Sequence, residues 1–351
     1  LPMPRLHVGL LFGGQSAEHD ISIRSARNVL AALGDRYRVT PIYITRDGQW
    51  LVTDRLPLAD ELVQGMPATF QPGASGETVQ GFDGLDLDVA FPVLHGTGGE
   101  DGTVQGFLHT LGLPYVGPDV LASAACMDKA ATKLFLEAAG IDGTPYLVTR
   151  AHEPPLAFET VERQLALPVF VKPANSGSSV GITRVDAAEQ WQAALDLAFQ
   201  YDRTVLVEQG VSGREIEVAV LGNETPEASL PGEIVVTTSY YDYDAKYEDP
   251  EASRMEVPAD LPDDAVGRLR QLAVEAYAAL GCEGLARVDF FVADDGALLV
   301  NEINTIPGFT ERSMYPVMWE RTGRSQAQLM DDLIQLALDR HERDRQRRLT
   351  R

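Results

Sequence analysis

ARVDFFVADDGALLVNEIN, residues 286–304, holds two short segments of alternating apolar and polar residues on either side of Asp295 and Gly296. Alternation with a period of two is typical of strands that bury one face, and an Asp-Gly pair between two such segments predicts a hairpin with a two-residue turn. The register that follows from this turn pairs Phe290 with Asn301. We therefore expect a β-hairpin with one apolar and one polar face.

The same register places four polar side chains on one face of the hairpin. Asp289 is opposite Glu302, and Arg287 is opposite Asn304. Cross-strand partners have Cβ atoms about 5 Å apart, and two carboxylates at that distance repel each other unless a proton or a cation lies between them. Carboxylate and amide oxygens are ligands that Mg²⁺ prefers, and this ion commonly bridges nucleotide phosphates. The hairpin therefore predicts a magnesium site that faces a nucleotide.

Lysines close to a glycine-rich loop form a second group of candidate residues. Lys172 interrupts a short apolar strand, and a buried lysine needs an anionic partner. The loop that follows, NSGSSVG at residues 175–181, supplies backbone and hydroxyl donors that can fold over phosphates. A helix predicted over residues 123–139 carries Lys129 and Lys133 one turn apart, so one lysine can reach a ligand while the other stays in solvent.

The first 120 residues alternate between predicted strands and helices. A helix is predicted over residues 17–33, and strands are predicted over residues 6–12, 39–44 and 89–93. This alternation indicates an α/β region with an open, mainly parallel sheet. In such sheets, ligand crevices form at the carboxyl ends of the strands.

Two candidate side chains follow strands of this sheet. Glu18 ends the glycine turn GGQSAE of residues 13–18, and His95 begins the glycine loop HGTGGEDG of residues 95–102. The first turn lacks the third glycine of a dinucleotide fingerprint, which argues against a nicotinamide site. Glu18 can either interact with the dipole of the following helix or bind a ligand, and His95 can be structural or functional.

Composition and charge limit the partners of the chain. It has 351 residues, enough for two or three domains, and a net charge of −23 at pH 7, which opposes binding to nucleic acid and to anionic membranes. We find no apolar run of the roughly 18 residues that a membrane span needs and no secretory signal, so we expect a cytoplasmic protein. Cys126 and Cys282 are expected to be free buried thiols, and residues 340–351 a solvated basic tail.

These motifs resemble those of a known superfamily of enzymes. The lysine strand, the serine-glycine loop and the hairpin that ends in NEINT at residues 301–305 are similar to those of the ATP-grasp superfamily. GGQSAEHDIS, HGTGGEDG and NTIPGFT, at residues 13–22, 95–102 and 304–310, narrow the resemblance to the D-alanine:D-alanine ligase family. It spans nearly the whole chain apart from about residues 56–84 and the basic tail.

The resemblance implies an α/β fold with the three-domain ATP-grasp architecture. An N-terminal α/β domain with an open, mainly parallel sheet would span residues 1–122 and bind substrate. Two α+β domains that clamp the nucleotide would follow, a central one at residues 123–211 and a C-terminal one at residues 212–351. The C-terminal domain would carry the metal site and a lid loop.

The resemblance also implies roles at the nucleotide and metal positions. The ATP phosphates and the adenine side would be contacted by Lys129 and Lys172. Adenine and ribose would be held by Glu208, Val211 and Glu215. Two magnesium ions, for which manganese could substitute, would be bound by Asp289, Glu302 and Asn304.

Further residues would hold the first amino acid and close the lid. Glu18 would take the ammonium group of the first D-alanine, with His95 close by. Ser178 would link Glu18 to Tyr247 when the lid closes, and Lys246 would offset phosphate charge. The chemistry would need positioning and charge neutralisation rather than a nucleophilic side chain.

The implied activity is the ATP-dependent joining of two D-alanine molecules, through an acyl phosphate, to the dipeptide used in peptidoglycan precursors. Arg287 and the backbone of Gly308 would stabilise the oxyanion, and Ser313 would receive the carboxylate of the second D-alanine. A related ligase with another acceptor, such as D-lactate, would share nearly every motif. A catalytically silent nucleotide-binding protein would have lost metal or lysine residues, and none is missing here. The resemblance also implies a homodimer.

Overall fold

The computed structural model of the protein describes residues 5–57, 64–70, 82, 84–236 and 253–347. Within this part of the chain, three β-sheets with flanking helices form the fold. None of the helices in the described ranges is long and apolar enough to cross a membrane.

The N-terminal sheet has five strands in the order β4-β3-β2-β1-β5. Its strands are β1 (His7–Gly13), β2 (Arg38–Ile44), β3 (Trp50–Val52), β4 (Met66–Pro67) and β5 (Val89–Val93). The three predicted strands are confirmed, and β1 pairs in parallel with both β2 and β5. Helix α1 (His19–Leu33) follows β1, and α2 (Thr103–Thr110) follows the loop after β5. Because β1 and β5 are parallel neighbours, the loops after them lie together at one edge of the sheet.

The helix predicted over residues 123–139 is in fact two helices, α3 (Val120–Met127) and α4 (Lys129–Ala138). Asp128 separates them in an extended conformation, and its side chain accepts a hydrogen bond from the backbone N–H of Ala131 at 3.0 Å. An aspartate in this N-cap position begins a new helix, so the prediction of one continuous helix was wrong.

The middle sheet has four antiparallel strands in the order β6-β9-β7-β8. Its strands and helices are β6 (Tyr146–Arg150), α5 (Phe158–Gln164), β7 (Val169–Pro173), β8 (Thr183–Val185), α6 (Ala188–Ala198) and β9 (Thr204–Gln209). Val171 and Val207 pack with Trp191 of α6 on one face of the sheet. Lys172 and Glu208 alternate with these valines and therefore lie on the opposite face.

The third sheet has the strand order β13-β12-β10-β14-β15, and β11 pairs with β10. Its strands are β10 (Gly213–Gly222), β11 (Glu227–Ala228), β12 (Gly232–Val236), β13 (Ser253–Glu256), β14 (Gly284–Ala293) and β15 (Leu298–Asn304). Helix α7 (Asp263–Ala279) precedes β14, and α8 (Met314–Thr322) and α9 (Gln326–Arg345) follow β15. The hairpin predicted from the sequence is β14 and β15.

The central register of this hairpin is as predicted, with Asp289 opposite Glu302 and Arg287 opposite Asn304. Each of these four side chains is at least partly buried. Since the side-chain period of a strand is two residues, all four share one face.

The turn of the hairpin differs from the predicted one. Ala293 donates a backbone hydrogen bond to Ala297 at 2.9 Å, which leaves a three-residue loop that ends in Gly296 at a φ of +87°. Such loops commonly combine a type I turn with a left-handed residue, for which glycine has no steric penalty. The longer loop shifts the register by one residue, so that Phe290 pairs with Val300 and not with the residue after it. An irregularity just before Phe290 restores the predicted register.

One apolar core joins the N-terminal sheet to the C-terminal helices. Leu10 of β1 and Phe91 of β5 belong to the same buried cluster as Trp319 of α8 and Leu333 of α9. Burying apolar surface between these elements holds the loops after β1 and β5 against the segment that follows β15. The core therefore fixes the relative positions of motifs that are roughly 200 to 290 residues apart in the sequence.

Two further predictions have different outcomes. Cys126 and Cys282 are free and buried as predicted, with their Sγ atoms 3.7 Å apart. The prediction of a solvated tail was wrong where the tail begins, because α9 continues to Arg345, while residues 348–351 lie outside the described residues. Arg340 is buried and donates a hydrogen bond to the carbonyl oxygen of Tyr115 at 2.7 Å.

Candidate active site

A cleft lies where loops from all three sheets meet. The N-terminal part contributes Glu18 and His95, the hairpin contributes Arg287 and Glu302, and residues 176–178 of the serine-glycine loop face them. The structure therefore brings together motifs that the sequence presented separately.

Arg287 lies between two carboxylates on the polar face of the third sheet. Its Nε and Nη2 donate to the two carboxylate oxygens of Asp289 at 2.7 and 2.6 Å, and its Nε is 3.2 Å from Oε2 of Glu217. Burial alone would lower the pKa of Arg287, but the charges of Asp289 and Glu217 raise it well above its usual value. Asn304 donates a further hydrogen bond to Asp289 at 2.9 Å. The guanidinium is thus charged and held in a defined plane.

Three carboxylates, Glu217, Asp289 and Glu302, form a row across β10, β14 and β15. Among the residues that the structure describes, no group of three or more His, Cys, Asp or Glu side chains is arranged to hold a metal ion. The donors predicted for a metal are instead two carboxylates, Asp289 and Glu302, with the amide of Asn304. This set suits Mg²⁺, because the ion keeps several waters and takes its other ligands from phosphates.

Glu208 lies between two lysines on the face of the middle sheet opposite Trp191. Its carboxylate contacts Nζ of Lys172 and is 2.8 Å from Nζ of Lys133. Burial would raise the pKa of Glu208, but the two lysines lower it to about 2. The prediction that one of the two lysines of this helix stays in solvent was wrong, since Lys129 lines the cleft and only 2% of the Lys133 side chain is exposed. Burial, partly offset by Glu208, lowers the pKa of Lys133.

The serine-glycine loop of residues 175–181 approaches the residues of the N-terminal part. Lys129, the first residue of α4, donates a hydrogen bond to a backbone carbonyl of this loop. A Cβ added to Gly177 would lie 3.6 Å from Oε2 of Glu18, so the loop and the glutamate are in close contact. Ser178 has a φ of +50°, a conformation that is uncommon outside glycine and is maintained here by the surrounding structure.

His95 belongs to a chain of hydrogen bonds that joins α1 to the segment after β15. Nε2 of His95 is 3.0 Å from Oγ of Ser25, and Ser25 also accepts a hydrogen bond from the backbone N–H of Phe309 at 3.1 Å. Nδ1 of His95 is 2.9 Å from the carbonyl oxygen of Ile306. Because a carbonyl oxygen only accepts, the proton is on Nδ1 and Ser25 donates to Nε2. Burial lowers the pKa of His95, which keeps the ring neutral.

Glu100 lines the same cleft and was not selected from the sequence. Its Oε2 accepts a hydrogen bond from the backbone N–H of Gly96 at 2.7 Å, and its Oε1 accepts one from Ile306 at 3.2 Å. Burial and the negative charge of Glu18 raise the pKa of Glu100 to about 8. Its position in the glycine loop was the only available signal, and loop carboxylates of this kind often serve as local caps.

Gly308 and Ser313 are neighbours at the other side of the cleft. Gly308 lines the cleft, and a Cβ added to it would lie 2.9 Å from Oγ of Ser313. Ser313 is the N-cap residue of α8, and its Oγ accepts a hydrogen bond from the backbone N–H of Thr310 at 2.9 Å. Both residues therefore lie where a helix N-terminus meets the cleft.

The remaining predicted site residues lie outside this group. Val211 is partly buried between β9 and β10, and Glu215 is an exposed residue of β10. Lys246 and Tyr247, predicted for the lid, fall outside the described residues.

The fold and the site together define the class of protein. An open N-terminal sheet is followed by two largely antiparallel sheets, one with buried lysines and one with a polar hairpin. This is the three-domain arrangement of ATP-grasp enzymes, as predicted, and solved structures with the same fold are ligases of that kind.

Comparison with known proteins identifies the family within this class. A family model described as D-ala D-ala ligase N-terminus matches residues 7–118, and one described as D-ala D-ala ligase C-terminus matches residues 135–335. D-alanine–D-alanine ligase A of Escherichia coli strain K12 is 45% identical over 97% of this chain and 98% of its own length. The chain belongs to the D-alanine–D-alanine ligase family.

Two solved structures are similar over nearly the full length. The D-alanine-D-alanine ligase from Coxiella burnetii has a TM-score of 0.87 and 39% sequence identity, covering 97% of this chain and 96% of that one. The VanG D-Ala:D-Ser ligase from Enterococcus faecalis has a TM-score of 0.85 and 35% identity, covering 95% of this chain and 100% of that one.

Proposed function

We propose that this protein joins two D-alanine molecules to D-alanyl-D-alanine for peptidoglycan synthesis, with cleavage of ATP to ADP and phosphate. The observation that carries the proposal is the meeting of Glu18, Arg287 and Gly308 in one cleft, covered by a serine-glycine loop. The 45% identity to a D-alanine–D-alanine ligase over nearly the whole chain supports the same substrates.

In the first step, the carboxylate of the first D-alanine attacks the γ-phosphate of ATP, and ADP leaves. A bond forms between carboxylate oxygen and phosphorus while the bond to the β-phosphate oxygen breaks. Lys129 and Lys172 neutralise phosphate charge, and such neutralisation with correct positioning accounts for most catalysis of phosphoryl transfer. Adenine and ribose are held by Glu208, Val211 and Glu215. The ion pair between Glu208 and Lys172 supports the role of Lys172, because it orients the lysine.

In the second step, the amine of the second D-alanine attacks the acyl carbon, and phosphate leaves from the tetrahedral intermediate. Arg287 and the backbone N–H of Gly308 stabilise the oxyanion, a role that the fixed plane of the guanidinium supports. Ser313 receives the carboxylate of the second D-alanine at the N-terminus of α8.

The first D-alanine is held through its ammonium group by Glu18. Neutral His95 supports this subsite by tying α1 to the segment after β15 through Ser25. In the closed state, Ser178 would link Glu18 to Tyr247, and Lys246 would offset phosphate charge. Closure excludes water from an acyl phosphate that would otherwise hydrolyse.

Magnesium, or manganese in its place, fits the oxygen donors of Asp289, Glu302 and Asn304. Two bound ions would supply positive charge that offsets the charge of the ATP phosphates. Asp289 already shares its oxygens with Arg287 and Asn304, so the same network that holds the arginine presents the carboxylate.

The proposal includes the organisation of the protein in the cell. Three domains with boundaries at residues 1–122, 123–211 and 212–351 would form a homodimer in the cytoplasm. The separate sheets of residues 146–209 and 213–304 support the second boundary.

Acceptor choice is the test of this function. Phosphate release should be measured with ATP and D-alanine, first alone and then with L-alanine, D-lactate or D-serine added as a second possible acceptor. The masses of the products should be recorded. D-serine is included because the VanG relative is described as a D-Ala:D-Ser ligase. We expect D-alanyl-D-alanine as the main product. A chain that releases phosphate faster with D-lactate or D-serine as acceptor would instead have the alternative activity, and no ATP-dependent product would exclude ligation.

A further inference from the structure

Glu100 is a carboxyl group in the cleft to which the proposed reaction assigns no role. It lines the same cavity as Glu18, His95 and Arg287. Its two oxygens are held by backbone N–H groups from different parts of the chain, Gly96 and Ile306. The side chain is thus fixed in position and still faces the space where substrate must lie.

Glu18 and Glu100 approach the same residue of the glycine loop. A Cβ added to Gly96 would lie 2.9 Å from Oε2 of Glu18, while the N–H of Gly96 bonds to Oε2 of Glu100 at 2.7 Å. Two carboxyl groups therefore flank Gly96 at one end of the cleft. Two carboxylates this close repel each other, so ionising both costs free energy unless a cation lies between them.

The neighbouring charges leave that place open to a cation. Arg287 faces Glu100 from the third sheet, and it is already paired with Asp289 and Glu217. Lys129 of α4 also lines the cleft, and its Nζ donates to the carbonyl oxygen of Ser176. His95, on the same loop as Glu100, is kept neutral by burial that lowers its pKa. Burial and, to a smaller extent, the negative charge of Glu100 raise the pKa of the Cys126 thiol in α3. This thiol is therefore uncharged at neutral pH.

We infer, on the basis of the proposed function, that Glu100 is a second substrate-binding carboxyl of the first D-alanine subsite. It carries a proton while the subsite is empty and releases that proton when the ammonium group of D-alanine enters between it and Glu18. The cleft then changes from one negative charge and one neutral carboxyl to two carboxylates around one cation.

The elevated pKa of Glu100, about 8, agrees with a carboxyl that is protonated in the empty cleft at neutral pH. Because binding releases a proton, affinity for the first D-alanine rises with pH up to this value and levels off above it. A purely structural role for Glu100, as a clamp between Gly96 and Ile306, predicts neither proton release nor this dependence.

Calorimetry of the full-length protein tests the inference without any substitution. D-alanine is titrated into protein that contains magnesium and a non-hydrolysable ATP analogue, in buffers of different ionisation enthalpy at neutral pH. We expect release of roughly one proton per D-alanine at the first subsite, and a decrease of this number above about pH 8. Absence of proton release at neutral pH, or a release that stays constant across this range, would overturn the inference.

A matched pair of variants tests whether Glu100 is the group that releases the proton when D-alanine binds. Glu100→Gln should abolish the release and raise the KM for the first D-alanine at least about tenfold while leaving the KM for ATP unchanged. Asp101→Asn is the control, because Asp101 also accepts backbone hydrogen bonds, from Gly98 and Thr103, but does not line the cleft. Unchanged proton release in Glu100→Gln would assign the proton elsewhere and overturn the role of Glu100.

Different experimental outcomes would contradict the role of Glu100 and the proposed ligase function. Wild-type protein that forms D-alanyl-D-alanine but binds D-alanine without releasing a proton would retain the ligase function and lose only the role of Glu100. Protein that forms no dipeptide would contradict the function itself.

Discussion

Lys133 and Glu208 form an ion pair at 2.8 Å in which no more than 3% of either side chain is exposed. Charges withdrawn from water to this extent are stable only when they are paired. Lys172 of β7 contacts the same carboxylate. Because Lys133 holds Glu208 and Glu208 holds Lys172, the ATP-binding role that we propose for Lys172 depends on Lys133 of α4.

Removal of the buried lysine in Lys133→Met should destabilise the protein by about 3 kcal/mol, because it leaves the charge of Glu208 undercompensated. Urea denaturation measures this loss. The double variant Lys133→Met/Glu208→Gln should recover part of the stability, since it removes both charges. A double variant that is as unstable as the sum of the single variants would show that the two residues are not coupled.

Glu208 also predicts a pH dependence of stability. Its pKa is lowered to about 2 in the folded protein, below the value of about 4.3 for an unfolded chain. The stabilisation is fully present above the unfolded value and is lost as the pH falls through the folded one. The difference in unfolding free energy between wild type and Glu208→Gln should therefore shrink from neutral pH to about pH 3. A difference that is constant over this range would contradict the ion-pair origin of the effect.

The metal assignment predicts a loss of turnover for Glu302→Gln. Removal of one charged oxygen donor should lower magnesium-dependent turnover at least about tenfold, which corresponds to roughly 1.4 kcal/mol. Asp295→Asn is the control, because it removes a carboxylate from the exposed turn of the same hairpin. Near-normal turnover of Glu302→Gln at saturating magnesium would remove Glu302 from the metal ligands.

The geometry of Arg287, beyond its charge, should matter for catalysis. Arg287→Lys keeps a cation between Asp289 and Glu217 but loses the planar fork that binds two oxygens. We expect ATP binding to persist and dipeptide formation to fall on the order of a hundredfold. Arg214→Lys, which changes a similar arginine–glutamate pair with Glu233 on the same sheet, should leave turnover unchanged. Equal losses in both variants would indicate a general effect on the sheet.

Local sequence patterns sufficed for the polar hairpin, because a period of two residues and an Asp-Gly turn determine which residues share a face. Even there, the three-residue turn shifts the strand register by one residue from the predicted one, and the bulge before Phe290 shifts it back. The predicted pairing of Asp289 with Glu302 is observed because these two shifts cancel. The ion pairs of Glu217 and Lys133 could not be predicted in this way. Their partners lie on elements brought close only by the pairing of β10 with β14 and by the tertiary fold that brings Lys133 of α4 to Glu208 of β9.

Two serines of α1 offer the most direct test of how the N-terminal part controls the cleft. Ser22 and Ser25 are both fully buried, and each joins two partners. Ser22 accepts from the backbone N–H of Gly13 at 2.8 Å and donates to the carbonyl oxygen of Val93, so it connects only N-terminal elements.

Ser25 instead joins His95 to the backbone of Phe309, next to the residue proposed to stabilise the oxyanion. Ser25→Ala and Ser22→Ala should each cost about 1–3 kcal/mol of stability, because each leaves a buried N–H without its acceptor. Only Ser25→Ala should also lower kcat, by about tenfold, since a shift of the backbone at Phe309 moves the neighbouring N–H of Gly308 away from the reacting carbonyl. Stability is measured by urea denaturation and turnover by phosphate release with D-alanine. If Ser22→Ala lowers kcat as much as Ser25→Ala at equal loss of stability, the hydrogen-bonded chain through His95 has no specific part in positioning the oxyanion site.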